Sequence, residues 1–508
     1  MFWAFMQHFD VLIIGAGLSG IGAGAHLRMR CPQKTFAIIE GRAAMGGTWD
    51  LFRYPGVRSD SDMYTLGYSF RPWNDPKAIA DGPAILSYIR ETSAAYDLNE
   101  HIRFNHRVRR AEWSSEQSRW TVEAETQAVA SVLRNFGDSP QGREDENPEV
   151  ALFTCTFLYL CTGYYDYESG YTPEWPGFDK YKGIVVHPQK WPEDLDYAGK
   201  RVLVIGSGAT AVTLVPAIAE KARHITMLQR SPTYVVSMPA QDRMANVLRS
   251  MLPAKAAYMI VRWKNVIRQM FFFTLARKKP EVMKRLIAKG VKNELGEEYL
   301  EKHFSPKYNP WDQRLCLVPD ADLFRSIRDG LASVVTGEIA EFTETGVTLA
   351  SGEQLDADIV VTATGLVLKI MAGLQLVVDG TPVNLSKKIA YKGMMYNDVP
   401  NLAQAFGYTN ASWTLKCDLT SEYVCRLLDY MDRRGYASCE PRITDPNIKP
   451  EPVLDFNSGY VLRALHEIPS QGSKAPWRLH QNYVMDLSML RYGRVDDGTM
   501  EFRRREDG

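Results

Sequence analysis

The 508-residue chain is poor in cysteine, and the cysteines it has do not form a pattern. Their odd number and the absence of any CxxC pair predict neither a disulfide framework nor a zinc site, and we expect no metal site elsewhere in the chain. Such usage is typical of a reducing compartment, so a cytoplasmic protein is expected. The seven cysteines are Cys31, Cys155, Cys161, Cys316, Cys417, Cys425 and Cys439.

An excess of one charge is also missing, since 60 Lys and Arg balance 60 Asp and Glu. This balance argues against nucleic acid or an acidic surface as the main partner.

No apolar run is long enough to cross a bilayer. Met251 to Ala276 is the most apolar stretch, but Lys255, Arg262, Lys264 and Arg268 interrupt it before the ~20 residues that a span needs. Its pattern favours an amphipathic helix packed in the core or along a substrate tunnel, with peripheral contact to a membrane as the alternative left open. The stretch Met1 to Met6 is apolar, but it lacks a basic n-region and runs directly into the first predicted strand, so we expect no secretion signal.

Two glycine-rich turns are the strongest local signals that the chain does contain. The first, GAGLSG, begins at Gly15 after the apolar run Phe9 to Ile14, and the second, GSGATA, begins at Gly206 after Arg201 to Ile205. Each turn opens a stretch of small residues typical of a helix, and strand, glycine turn and helix together predict a pyrophosphate site. The expected contacts are Gly15, Gly17, Ser19 and Gly20 in the first turn and Gly206, Ser207, Gly208, Ala209 and Thr210 in the second.

The residues that follow each turn indicate which nucleotide it holds. Glu40 ends the second predicted strand of the first unit, where a carboxylate accepts hydrogen bonds from a ribose, so FAD is expected there. Gln229 and Arg230 take the equivalent place in the second unit, and a guanidinium pairs with a 2′-phosphate, which predicts NADPH. Ala211 stands at the third glycine position, which is a tolerated variant.

The length predicts two or three domains. The two glycine turns predict an α/β fold with two Rossmann-like dinucleotide-binding domains, one for FAD and one for NADP, and the helical pattern between them and the C-terminal part predicts a helical insertion. Residues 1–167 are expected to begin the FAD domain, 168–365 to form the NADP domain with the helical insertion at about 240–305, and 366–508 to return to the FAD domain. Alternating residues between 102 and 160 predict antiparallel strands. The polar stretch 135–149 predicts a mobile surface loop.

Two further motifs carry a resemblance to a known family. Tyr181 to Pro192 is similar to the FxGxxxHxxxWP fingerprint of class B flavin monooxygenases, with Tyr181 where Phe is usual, and Gly47 to Asp60 is similar to their GxWxxxxYPGxxxD motif. The form of both motifs resembles type I Baeyer–Villiger monooxygenases, and the resemblance extends over nearly the whole chain. It includes Arg53 to Trp73, Tyr308 to Pro319, Tyr391 to Met395 and Gly407 to Lys416.

The resemblance implies a reaction that uses NADPH, FAD and O2. NADPH would reduce FAD, and reduced flavin with O2 would give a C4a-peroxyflavin that inserts one oxygen atom into a ketone to form an ester or lactone. Its protonated form would oxygenate sulfide or thioamide sulfur. The expected substrates are therefore small ketones or sulfur compounds.

Negative charge on such a peroxide needs a fixed cation, and arginine stays charged at any working pH. The resemblance assigns this role to Arg314, oriented by Asp60, whereas a structural Arg–Asp bridge is the alternative. It also places Trp49 and Tyr54 beside the flavin and Arg58, Ser59 and Asp60 at the nicotinamide half of NADP. The implied FAD contacts are Ser19, Glu40, Gly47, Thr48, Trp49, Asp60 and the backbone at Val108.

His187 has a side chain whose ordinary pKa suits a general base. In the family the fingerprint lies on the linker between the nucleotide domains, so Gly183, His187 and Trp191 are expected to position the domains rather than to transfer protons. The sequence fits equally well a Trp413 that packs in the core and a Trp413 that lines the substrate pocket.

Three other classes compete with the ketone-oxidising hypothesis. A flavin monooxygenase that oxygenates only nitrogen or sulfur would have no use for Arg314. A pyridine-nucleotide disulfide reductase needs a redox-active cysteine pair, and a nucleotide sensor needs neither Arg314 nor the motif that ends at Asp60.

Overall fold

The computed structural model of the chain describes residues 6–126, 149–313, 315–453 and 459–504. The helices within these residues are α1 Leu18–Arg30, α2 Thr48–Leu51, α3 Met63–Leu66, α4 Gly82–Ala95, α5 Ala209–Ala219, α6 Arg243–Met251, α7 Ala254–Lys278, α8 Pro280–Leu295, α9 Glu297–His303, α10 Asp322–Arg328, α11 Trp413–Arg434, α12 Gly459–Ala464 and α13 Tyr483–Leu487.

The strands are β1 Gln7–Ile14, β2 Phe36–Ile39, β3 Ile102–Arg103, β4 His106–Ser114, β5 Arg119–Thr126, β6 Glu149–Leu160, β7 Tyr165–Gly170, β8 Ile184–Val186, β9 Arg201–Ile205, β10 His224–Gln229, β11 Val235–Met238, β12 Cys316–Pro319, β13 Ala332–Thr336, β14 Ile339–Phe342, β15 Gly346–Leu349, β16 Gln354–Asp356, β17 Ile359–Thr362, β18 Leu366–Leu368, β19 Gln375–Val378, β20 Thr381–Pro382, β21 Ala390–Tyr391, β22 Met395–Tyr396, β23 Leu402–Gln404, β24 Tyr436–Pro441, β25 Pro450–Pro452, β26 Ser470–Gly472 and β27 Met500–Arg504.

The larger sheet has nine strands among the described residues, in the order β20-β19-β4-β5-β6-β1-β2-β3, with β23 also paired to β6. β1 pairs in parallel with β2 and β6, whereas β5 pairs antiparallel with both β4 and β6. The last four residues of β1 are all buried, with Val11 and Ile13 in one core cluster beside α1 and α11 and with Leu12 and Ile14 in another beside residues of β4, β5 and β6. β19 and β23 lie more than 200 residues after β6 in sequence, so the chain leaves this sheet and later returns to it.

The smaller sheet is parallel throughout and has the order β13-β10-β9-β17-β8. α5 connects β9 to β10 and buries its apolar face, Ala211, Val212, Leu214, Val215 and Ile218, against this sheet. The two strand–turn–helix units confirm the expected α/β fold with two Rossmann-like units.

The chain passes from one sheet to the other along a pair of crossing strands, which we call the crossing ladder and define as β7 and β18. The outgoing β7 and the returning β18 pair antiparallel, with Leu366 opposite Gly170 and Leu368 opposite Tyr165. Tyr171 N–H donates to the Gly365 carbonyl at 3.0 Å, which extends the ladder by one more bond. Both passages between the sheets are therefore hydrogen-bonded to each other.

Four helices, α6 to α9, fill the stretch between β11 and β12. Leu252 and Pro253 separate α6 from α7, and the helix expected from the apolar run at 251–276 is formed almost wholly by α7. α7 buries Val261 and Val266 in the core beside the larger sheet. No helix of the described part of the chain is both long and apolar enough to span a membrane.

The loop expected at 135–149 falls almost wholly outside the described residues. Its last residue, Glu149, begins β6, so the strand starts earlier than the polar composition indicated. The three domain ranges drawn from the sequence stay predictions.

Candidate active site

The first glycine turn lies between β1 and α1, and two of its residues have no room for a side chain. A Cβ on Gly15, whose φ is +105°, would lie 2.6 Å from the Cys161 carbonyl oxygen, and one on Gly20 would lie 1.8 Å from the Gly15 carbonyl oxygen. Glycine at both places lets the helix approach the strands closely. Gly17 caps the N-terminus of α1, whose free N–H groups are suited to an anion.

Glu40 stands at the end of β2 and supports the same turn. Its Oε2 accepts from Ala16 N–H at 2.7 Å and its Oε1 from Arg42 N–H at 2.9 Å. Burial raises the pKa of Glu40, an effect that these two bonds and the charge of Arg42 oppose. Each carboxylate oxygen keeps further acceptor capacity, so the side chain can still receive a ribose hydroxyl.

Ser19, expected to contact FAD, has its hydroxyl bound to residues from α11. Trp413 Nε1–H donates to Ser19 Oγ at 2.7 Å, and Ser19 Oγ donates to Cys417 Sγ at 3.5 Å. The Trp413 ring stacks on Tyr164 at 5.0 Å between centroids. Trp413 thus forms a wall of the site next to the first turn, and no local sequence signal connects it to Ser19.

The segment Gly47 to Asp60 wraps over the first turn. Gly47, with φ +56°, faces Gly17, and a Cβ there would lie 3.1 Å from the Gly17 Cα. Thr48 hydrogen-bonds to the hydroxyl of Tyr167, and burial raises the pKa of Tyr167 to about 12. Trp49 is half-buried beside them.

Asp50 is a residue that the sequence reasoning missed. Its buried carboxylate lies 2.8 Å from Arg42, 2.9 Å from Arg53 and 3.4 Å from Arg90. These three guanidinium groups come from separate parts of the chain, so Asp50 fixes the start of the segment. In the sequence, the only sign of this role is the position of Asp50 inside the motif, close to Arg42 and Arg53.

The end of the segment contacts the second nucleotide unit. Tyr54 is buried and hydrogen-bonds to the Thr210 side chain of the second glycine turn, while burial raises the pKa of Tyr54 to about 12. Arg58, expected at the nicotinamide, makes an ion pair with Asp322 at the start of α10, at 2.5 and 3.3 Å. Ser59 is buried, and its Oγ accepts from Ser61 N–H at 2.9 Å.

The second glycine turn has the same backbone geometry and a more open helix end. Gly206 has φ +133°, and a Cβ there would lie 2.3 Å from the Ala363 carbonyl oxygen. A Cβ on Gly208, the N-cap of α5, would meet no described atom within 4 Å, and Ala209 beside it is exposed. Ser207 Oγ bonds to Thr233 Oγ1 at 2.6 Å.

Gln229 and Arg230 differ in where they point. The Gln229 amide is buried and donates to the His303 carbonyl at 2.7 Å and to Thr336 Oγ1 at 3.0 Å. Arg230 is exposed directly after β10. Of the two side chains, only that of Arg230 is exposed, and the contact of either residue with NADP stays a prediction.

Val108 lies in β4 at a bulge, where the pairing with β5 shifts between Val108 and Arg110. Its side chain packs in the core under the larger sheet with Ile14 and Ile39. Any role at a cofactor therefore belongs to its backbone, as the resemblance implies.

The fingerprint at residues 181–192 follows β8 along the smaller sheet and reaches the crossing ladder at His187 and Gln189. A Cβ on Gly183 would lie 2.2 Å from the Tyr181 hydroxyl, which donates to the Ala357 carbonyl at 3.0 Å. The tyrosine that replaces the usual Phe therefore gains a hydrogen bond. Trp191 is buried against Tyr197.

His187 has both ring nitrogens engaged. Nε2–H donates to the Gly365 carbonyl at 3.2 Å, and Nδ1 accepts from Gln189 N–H at 3.2 Å. This arrangement requires the neutral ring, and burial lowers the pKa of His187. Contact with Gly365, the residue before β18, supports the positioning role over proton transfer.

A cavity of about 670 Å³ lies between the first glycine turn, the segment 47–60 and the start of α5. Gly17, Thr48 and Asp60 line it from the first unit and Ala209 and Thr210 from the second. The helical insertion adds a largely apolar wall formed by Phe272, Phe273, Met283, Leu286 and Ile287, with Arg268 and Gln269 beside them.

Arg314, the expected catalytic cation, lies outside the described residues. Trp311 and Leu315 on either side of it line the cavity, as does Asp60. The pairing of Arg314 with Asp60 stays a prediction.

Comparison with known proteins agrees with this geometry. The family described as "Flavin-binding monooxygenase-like" matches residues 68–372, and an NAD(P)-binding Rossmann-like domain matches residues 13–77. The FAD-containing monooxygenase EthA of Mycobacterium tuberculosis is 51% identical over 501 residues, which is 98% of each chain. EthA of Mycolicibacterium smegmatis is 49% identical, again over 98% of each chain.

Solved structures share the fold at lower identity. A steroid monooxygenase bound to NADP superposes with a TM-score of 0.72 at 23% identity, covering 98% of this chain and 100% of that one. A cyclohexanone monooxygenase gives 0.73 at 20% identity with the same coverage. From the family match and the full-length relatives, the chain belongs to the flavin-binding monooxygenases.

Proposed function

We propose that the chain binds FAD at the first glycine turn and NADPH at the second, and uses O2 to insert one oxygen atom into ketones, giving esters or lactones. The observation that carries the proposal is a cavity lined by residues of both turns. A reducing nucleotide and the flavin it reduces must meet, and the cavity gives them a common space. Sulfides and thioamides are proposed as further substrates.

The first turn fits FAD on its own geometry. Gly15, Gly17 and Gly20 leave the backbone free to approach a pyrophosphate at the N-terminus of α1. Glu40 would hold the ribose, the backbone at Val108 would contact the cofactor, and Gly47, Thr48 and Trp49 would border the flavin ring. When bound, the flavin supplies the oxygen-activating chemistry.

The second turn fits NADPH. The open space around Gly208 leaves room for a pyrophosphate at the N-terminus of α5, and the exposed Arg230 would pair with the 2′-phosphate. Ser207, Ala209 and Thr210 would complete the turn. Ser59 would contact the nicotinamide half, since its hydroxyl accepts from Ser61 N–H and keeps its own O–H to donate.

Arg314 is proposed to stabilise the negative charge that develops when oxygen is transferred to a ketone. A guanidinium keeps its charge at any working pH, and a preorganised donor of this kind contributes about 3 kcal/mol to lowering a barrier. Asp60 would orient it. Asp60 already faces the cavity, and the two neighbours of Arg314 that line the cavity support this assignment.

The apolar wall of the cavity supports an apolar substrate. Phe272, Phe273 and Ile287 offer no charged group to a ligand, and burial of apolar surface contributes about 25 cal/mol per Å². The names of the relatives agree, since the structural neighbours include a cyclohexanone monooxygenase and a steroid monooxygenase.

The test is to supply the purified holoenzyme with NADPH and ¹⁸O2 together with linear, cyclic and aryl ketones and aryl sulfides. We expect esters or lactones that carry one ¹⁸O atom, detected by mass spectrometry. Sulfoxides without any ester would instead favour a heteroatom oxygenase.

Arg314→Ala is expected to keep FAD bound and NADPH-dependent flavin reduction intact while ester formation falls roughly 100-fold or more. Arg314→Lys serves as the matched control that retains charge and is expected to recover part of the rate. Unchanged ester formation in Arg314→Ala would contradict the assignment.

A further inference from the structure

The helical insertion contains a segment with an unusual distribution of charge. Between Asp242 and Glu281 the chain has no acidic residue, although the whole chain is neutral. The same segment carries nine basic residues: Arg243, Arg249, Lys255, Arg262, Lys264, Arg268, Arg277, Lys278 and Lys279. It includes all of α6 and α7 and is strongly cationic.

Three of these cations form ion pairs with acidic residues of the protein. Arg262 is buried and lies 3.6 Å from Asp418, Lys264 pairs with Asp242, and Arg277 lies 3.2 Å from Asp312. Arg243, Lys255, Lys278 and Lys279 are exposed. Positive charge therefore remains at the surface at the start of α6 and at both ends of α7.

Between these cations α7 exposes apolar side chains along one face. We call this face the apolar stripe and define it as Met259, Ile260, Ile267 and Phe271. Ile260, Ile267 and Phe271 are seven and four residues apart, so they lie on one side of the helix, and Met259 lies next to Ile260 at the border of that side. Ile267 is 60% exposed and Phe271 61% exposed, which is unusual for side chains of this size.

α6 adds a second set with the same character. Met244, Val247 and Met251 follow one another at helical spacing, and all three are exposed. α6 and α7 pack against each other, so two neighbouring helices both turn apolar groups to the solvent.

The mouth of the active-site cavity opens beside this surface. Phe272 follows Phe271 directly, is 42% exposed and also lines the cavity. Leu286 of α8 is 50% exposed and lines the cavity as well. The wall of the cavity is therefore continuous with the apolar surface of the insertion.

We propose that α6 and α7 dock the protein on an anionic lipid surface, with the apolar stripe inserted among the acyl chains and the exposed cations at the headgroups. Helices with an apolar face, a basic polar surface and too little hydrophobicity to span bind in this way. Each exposed Lys or Arg near an anionic membrane adds favourable energy, and the segment has no acid to oppose it.

A second copy of the chain is a poorer occupant. In a two-fold dimer the same patch faces itself, so the cations of one α7 would meet those of the other. Like charges brought together in this way oppose association. An anionic lipid surface supplies the complementary charge.

Docking would hold the cavity mouth against the bilayer. Apolar ketones and sulfides dissolved in the membrane would then enter the cavity between Phe272 and Leu286 without crossing water. This substrate route rests on the function proposed above. Lipid binding itself does not depend on the reaction.

The experiment is flotation of the holoenzyme with vesicles of phosphatidylcholine alone or mixed with phosphatidylglycerol. We expect binding to the mixed vesicles, little binding to the neutral ones, and weaker binding as salt screens the charges. Ile260→Gln/Ile267→Gln and Lys278→Gln/Lys279→Gln are each expected to weaken binding roughly tenfold or more.

The controls place the same chemical changes elsewhere. Val150→Gln removes an exposed apolar side chain from β6, and Arg433→Gln removes an exposed cation from α11. Both should bind mixed vesicles like the native protein. All variants should oxidise a water-soluble substrate at the native rate without vesicles, which shows correct folding and tests the proposed function separately.

Absence of vesicle binding, equal binding to neutral and anionic vesicles, or native binding by both double variants would overturn the proposal. So would a dimer, seen in sedimentation, that Ile260→Gln/Ile267→Gln abolishes while vesicles are not bound. That result would assign the face to a second copy of the chain.

Discussion

At the scale of single residues, the site contains groups that sequence could identify and groups that it could not. Gly15, Gly20 and Gly206 were identified because the constraint on each comes from a local turn between strand and helix. The contact of Ser19 with Trp413 joins residues 394 positions apart, and no local pattern encodes it. The same reason explains why the pairing of Arg58 with Asp322 was not expected.

Arg230 carries a prediction about cofactor choice. Arg230→Ala should reduce the preference for NADPH over NADH by roughly tenfold or more, because a charge-assisted contact with the 2′-phosphate contributes about 1.5–3 kcal/mol. The measurement is kcat/KM for flavin reduction with each nucleotide.

Arg223 provides the control for that experiment, because it is also exposed and lies just before β10. Arg223→Ala should leave the preference unchanged. Equal use of NADPH and NADH by the native enzyme would remove the role given to Arg230.

At the scale of elements, strands and helices with regular patterns were predictable and their long-range anchors were not. The apolar runs before each glycine turn became β1 and β9, since hydrophobic periodicity is a local property. The attachment of α11 depends on Asp418, which lies 3.3 Å from His26 of α1 and 3.6 Å from Arg262 of α7. Such a buried cluster becomes visible only when three elements are brought together.

Asp418 therefore carries a prediction about stability. Burial would raise the pKa of Asp418, but the hydrogen bond and charge of His26, the charge of Arg262 and the Ser69 N–H together hold it below its usual value. Asp418→Asn should lower the free energy of unfolding at neutral pH by about 3 kcal/mol, because Arg262 is left buried beside a neutral group. Chemical denaturation measures the change.

The pH dependence follows from the direction of that shift. A carboxylate whose pKa is lower in the folded protein stabilises it above the unfolded pKa, and this stabilisation is lost as the pH falls through the folded pKa. The difference between the native protein and Asp418→Asn should therefore shrink in acid. Asp429→Asn, on an exposed part of α11, should show no comparable effect.

At the scale of the whole molecule, the α/β class could be predicted because two glycine turns imply two nucleotide units. The sequence did not reveal how the units are fixed to each other. Tyr54 with Thr210 and Arg58 with Asp322 both connect the segment 47–60 to the second unit. Side chains at an interface depend on the final packing, which residue patterns do not specify.

The ion pair between Arg58 and Asp322 should restrict relative motion of the two units. Asp322→Asn removes the negative charge that pairs with Arg58. Amide exchange in residues 54–60 and in α10 is therefore expected to become about tenfold faster, which corresponds to about 1.4 kcal/mol of local stability. Hydrogen-exchange mass spectrometry provides the measurement.

Glu168→Gln removes the exposed partner of Arg107 and provides the matched control, because that pair does not involve the second unit. Exchange in residues 54–60 should then stay native. Identical exchange in Asp322→Asn and the native protein would show that the ion pair does not restrain the units.

The crossing ladder has a mechanical consequence. A single covalent connection would leave each of the two nucleotide units, or lobes, free to move in any direction relative to the other. β7 and β18 are hydrogen-bonded side by side, so they resist bending within their own plane and deform mainly by twisting. Reorientation of the lobes should therefore follow one axis along this ribbon. His187, bonded to the Gly365 carbonyl at its edge, would act as the stop that sets how far the twist proceeds.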